Sequence, residues 1–219
     1  MDSYTHKSME IYISDSEAKA TEALEVTDSF IRKTGLTGRN AIRFRLLAEE
    51  TIGMVRAMTG DFKALFWLEE EEGLYRVKLM AKTDMNKEKK SSLLSVSSSG
   101  KNDSAKGFMG KIGDMIENGL LHFDEVMKLQ QEYGVGTVDY GFMGRVLPGE
   151  VPSMDDSLVW SLQGYKESLE DASGEQEGTG KSKEAWDELE KSIVANIADD
   201  VVVGVKKDRI DMTITWRAS

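Results

Sequence analysis

Residues 201–216 read VVVGVKKDRIDMTITW, and their pattern decides the fold. Val201–Val205 and Arg209–Trp216 are β-prone runs around Lys206-Lys207-Asp208, which predicts a hairpin. In the second run Ile210, Met212, Ile214 and Trp216 fall on one face, with Asp211, Thr213 and Thr215 on the other. That alternation belongs to a sheet with one side covered by helices.

The covering helices are readable on either side. Ser182 is placed to cap a helix reaching Ala198, with Trp186, Leu189, Ile193 and Ile197 on one face. Near the start of the chain, Met9, Ile11 and Ile13 alternate with polar residues as a short strand. Ser14-Asp15-Ser16-Glu17 has capping-box spacing, so a helix starts there. Its face carries Ala20, Leu24, Thr27 and Ile31, and Gly35 ends it. Thr37 caps a second helix, Gly38 to Met58, whose apolar side holds Phe44, Leu47, Ala48, Thr51, Val55 and Met58. Strands Lys63–Leu68 and Leu74–Lys82 follow, joined by the acidic turn Glu69–Gly73.

The middle differs in character. Lys87–Lys106 is polar and rich in Ser and Lys. Phe108–Leu129 reads as an amphipathic helix, and Ser157–Leu169 as another. Tyr133–Pro152 has no clear period, and Glu170–Gly180 is an acidic, Gly-rich linker. The expectation is an α+β fold: a two-layer sandwich whose mixed, mostly antiparallel sheet of about five strands carries helices on one face. Residues 1–86 and 181–219 form that unit. Residues 87–180 form a partly helical, partly flexible insertion.

Composition narrows the chemistry. The 219 residues carry 39 acids against 28 bases, a formal charge of −11, which disfavours a general nucleic-acid binder. With no cysteine, thiolate nucleophiles and zinc–thiolate sites are excluded. Two distant histidines, His6 and His122, disfavour a Ser-His triad or a His-rich metal site. No apolar run of about 18 residues suggests a membrane span, so a cytoplasmic location is expected.

Three places can carry chemistry. In LLAEETIGMVRAMTG, residues 46–60, Glu49 projects opposite the apolar stripe and belongs to solvent. Glu50 lies at the stripe's edge, half-desolvated beside the sheet, where a carboxylate serves as a base. The plainer reading is a boundary acid paired with Arg43 or Arg45. Gly178-Thr179-Gly180-Lys181-Ser182 precedes a helix, and free amides there with a Lys suit a phosphate. It misses the Walker A spacing by one residue and follows a linker instead of a strand, so a flexible linker ending in a Ser cap is the plainer reading. Asp84 follows an apolar strand, where an acid can read a ligand from the sheet's end.

The order of elements, with RLLAEETIGMV (45–55), VKLMAKTDM (77–85) and ANIADDVVVGVKKDRIDMTITW (195–216), resembles the Bergerat-type ATPase fold. That is the fold of histidine kinases, gyrase-type ATPases and anti-sigma-factor serine kinases, the last being the nearest in kind. The resemblance implies Glu50 as general base, Asp84 as reader of the adenine amino group, and Gly178, Thr179, Gly180 and Lys181 as phosphate holders. It implies ATP as cofactor and a protein partner. The sequence departs from the family where magnesium is bound: Met54 stands in place of the Asn, and a thioether is a poor ligand for a hard cation. The two glycines expected after Asp84 are missing as well. A regulatory adenine-nucleotide binder with little or no hydrolysis is therefore the leading expectation, with no nucleic-acid or membrane partner. Its rivals are a scaffold on the same fold that has lost nucleotide, using the Phe108–Leu129 helix as contact surface, and an unrelated enzyme centred near Asp139 and Tyr140.

Overall fold

The computed structural model describes residues 6–57, 62–82, 108–110, 112–113, 116, 157–174, 180–206 and 209–218. In chain order the elements are β1 (His6–Lys7), β2 (Ile11–Ile13), α1 (Glu17–Thr34), α2 (Gly38–Ala57), β3 (Ala64–Glu71), β4 (Leu74–Lys82) and β5 (Ser157–Ser161). After these come α3 (Leu162–Gly174), α4 (Gly180–Lys191), α5 (Ile193–Ile197), β6 (Asp200–Lys206) and β7 (Arg209–Arg217). The fold is α+β. Its seven strands form one sheet in the order β1-β3-β4-β7-β6-β5, with β2 also on β3. Every described pairing is antiparallel, so the mixed sheet of about five strands becomes a wider, uniform one.

Register explains the core. Ile11, Phe66, Leu79, Met212, Val203 and Trp160 are successive cross-strand partners, one from each strand in turn. All six are buried, so a single row of side chains crosses the sheet beneath the helices. Parallel rows, such as Leu68, Val77, Ile214 and Val201, are buried as well. The alternation predicted for β7 is present in full: Ile210, Met212, Ile214 and Trp216 are buried, and the residues between them are not.

Beyond the core, β1 and β2 are one edge strand broken by a bulge. His6 pairs with Glu70 and Lys7 with Glu69, but Ile11 meets Phe66, leaving one extra residue between Ser8 and Glu10. Ser8 repairs the ladder with its side chain. Its amide donates to the Leu68 carbonyl, and its Oγ accepts from the Leu68 amide, both at 2.9 Å.

Several local expectations change. The acids Glu69–Glu71 extend β3, and only Glu72 and Gly73, both at positive φ, make the turn. A two-residue turn of that hand matches strand twist. The acids tolerate the strand because each finds a donor: Glu69 Oε1 accepts from Trp67 Nε1, Glu70 from the Gly73 amide, and Glu71 from Arg76. Ser157–Ser161, expected as helix, is the edge strand β5, and the helix starts only at Leu162. Its Leu-Val-Trp centre suits a strand better than a helix. Residues 157–174 thereby add a strand and a helix to the sheet and core, within the stretch read as an insertion.

The closing helix breaks at Ser192, whose Oγ accepts from the Ala195 amide and starts α5 afresh. That break rotates Ile193 to 41% exposure and buries Val194 and Ala195 in its place. The box before α1 does not form either. The N-cap Ser16 makes no side-chain cap bond, and its amide donates to Ser14 Oγ. Gly35 ends α1 in the left-handed conformation as expected.

Candidate functional site

The direction of each helix over the sheet fixes which residues meet. α1 starts after β2, whose Ile13 pairs with Ala64, and its end brings Phe30 to 6.5 Å from Tyr75. It therefore runs from the Ala64–Ala81 end of the sheet to the Tyr75–Trp216 end. α2 returns beside it. Phe44, early in α2, lies 5.2 Å from Tyr75 and 6.0 Å from Trp216, and only residues 58–63 separate Ala57 from Ala64. Arg45 Nε to Asp28 Oδ1 at 3.0 Å ties the two helices.

Glu50 and Met54 therefore occupy the half of α2 approaching the end where β4 finishes at Lys82. The second helical pair follows the same logic. The Gln163 amide donates to Asp200 Oδ1 at 3.1 Å and Lys166 Nζ to the Ala195 carbonyl at 3.2 Å, which places the start of α3 at the Tyr75–Trp216 end. α3 packs on β5 and β6 and against α4.

Each expected site residue can now be placed. Glu49 is exposed and pairs with Arg45 at 2.9 Å. Glu50 is half-buried, and it makes no ion pair with Arg43 or Arg45 among the described residues. Met54 is 4% exposed within the core. Its thioether offers no oxygen to a hard cation. Gly180 and Lys181 form the first turn of α4. Asp84, Gly178 and Thr179 lie outside the described residues, as do Asp139 and Tyr140. Among the described residues no group of three or more His, Asp or Glu is arranged to hold a metal ion. None of the described helices is long and apolar enough to cross a membrane.

The Phe108–Leu129 helix behaves differently from a contact surface where it is described. Phe108, Met109, Ile112 and Ile116 are buried, and Phe108 lies 6.0 Å from Trp160. These four residues belong to the core.

No family model and no curated protein matches the chain.

Sequence reasoning missed a feature that only register reveals. The ends of four neighbouring strands each carry a base: Lys63 precedes Ala64, Lys82 pairs with Arg209, and Arg209 with Lys206. In the sequence these lie in separate hairpin ends, with nothing to show that they line up. The only available signal was strand alternation, which puts all four positions on the face away from the helices.

Proposed function

We propose that the chain is a regulatory domain that binds an adenine nucleotide between its helices and sheet, with little or no magnesium-dependent turnover. One observation carries the reading. Glu50 on α2 and the end of β4 at Lys82 lie toward the same end of the sheet, although they are far apart in sequence. In this reading Asp84 receives the adenine amino group, the amides from Gly178 to Gly180 with Lys181 hold phosphates, and Glu50 is a residual base. A protein partner reads the liganded state.

The test is thermal. Saturating ATP, at about a hundred times its Kd, adds about 2.7 kcal/mol to stability and so raises Tm by about 5–10 °C for a chain of this size. Asp84→Asn should abolish the shift, while Glu50→Gln should keep it and remove any residual hydrolysis. No shift at millimolar nucleotide overturns the proposal. A second reading, a scaffold without nucleotide, draws on the burial of Met54. Nucleotide found by native mass spectrometry of the freshly purified protein would defeat that alternative.

A further inference from the structure

We draw no further inference here: the strongest candidate, the sheet edge at β5, where the exposed Val159 lies on a strand paired only to β6 among the described residues, carries nothing because no described residue shows what covers that edge.

Discussion

Met54→Asn introduces the residue type that the Bergerat-type family, which the sequence resembles, uses for magnesium, and the structure says what that substitution costs. Met54 is 4% exposed, in a helix whose neighbours Thr51, Ile52 and Val55 are also buried. Replacing its side chain forfeits about 1.5–3 kcal/mol of apolar burial. The buried amide adds about 1–3 kcal/mol if it finds no partner. A net loss of about 3–5 kcal/mol is a large share of ordinary domain stability. For a chain of this size it corresponds to a fall in Tm of about 6–20 °C. Differential scanning calorimetry without ligand measures the fall. Repeating it with Mg-ATP measures how much an oxygen ligand at this position regains: under the nucleotide reading, the variant's Mg-ATP shift exceeds that of the unmodified protein. A fall below about 2 °C would refute the packing, since an open site would tolerate Asn at little cost. A full fall with no ligand-dependent recovery would leave the packing intact and count against a nucleotide beside α2.

Three further outcomes follow from particular contacts. Ser8→Ala leaves the Leu68 amide without its acceptor in a strand where Leu68 is fully buried, so urea unfolding should show a loss of about 1–3 kcal/mol, with Ser8→Thr losing less. Phe44→Leu opens the cluster joining Phe30, Tyr75 and Trp216 and should cost about 1–3 kcal/mol by the same assay, while leaving nucleotide affinity unchanged. Burial pushes the Tyr75 hydroxyl above its ordinary pKa of 10.0, opposed by its hydrogen bond with Thr34 and reinforced by Glu70. Once pH passes 10.0 the unfolded chain releases this proton while the folded chain keeps it, so stability is complete below that pH and falls as pH rises. Tyr75→Phe should flatten part of that alkaline loss in Tm-against-pH scans, and only part, because burial raises Tyr165 in the same direction.

How much was legible in sequence depended on whether a signal was local. The β6–β7 hairpin and the first two helices were readable because period and caps act within a few residues: Phe44, Leu47, Ala48, Thr51 and Val55 are all buried as their spacing requires. The same period separated Glu49 from Glu50. Where a local preference was overridden by a partner elsewhere, the reading failed. Glu69–Glu71 look like a turn until Trp67, Arg76 and the Gly73 amide supply donors. Ser157–Ser161 reads as helix until β6 offers an edge to pair with. Ile193 fits a continuous apolar stripe only if Ser192 does not restart the helix. Glu50 shows the same limit, because its approach to the end of β4 follows from helix direction, which no short motif encodes.

The two ends of the sheet are also built differently. At one end Phe30, Phe44, Tyr75 and Trp216 fill the space between helices and sheet, with Phe44 and Trp216 stacked at 6.0 Å and Tyr75 edge-on to Phe44. Four buried rings leave that end closed, and prying them apart would sacrifice both apolar burial and the ring pairs. The opposite end has a different character, with Ala64, Ala81 and Ile210 as the last core residues of their strands. There the space between the layers is filled by aliphatic side chains, with Ile13, Val55 and Ile210 fully buried, in place of a cluster of rings.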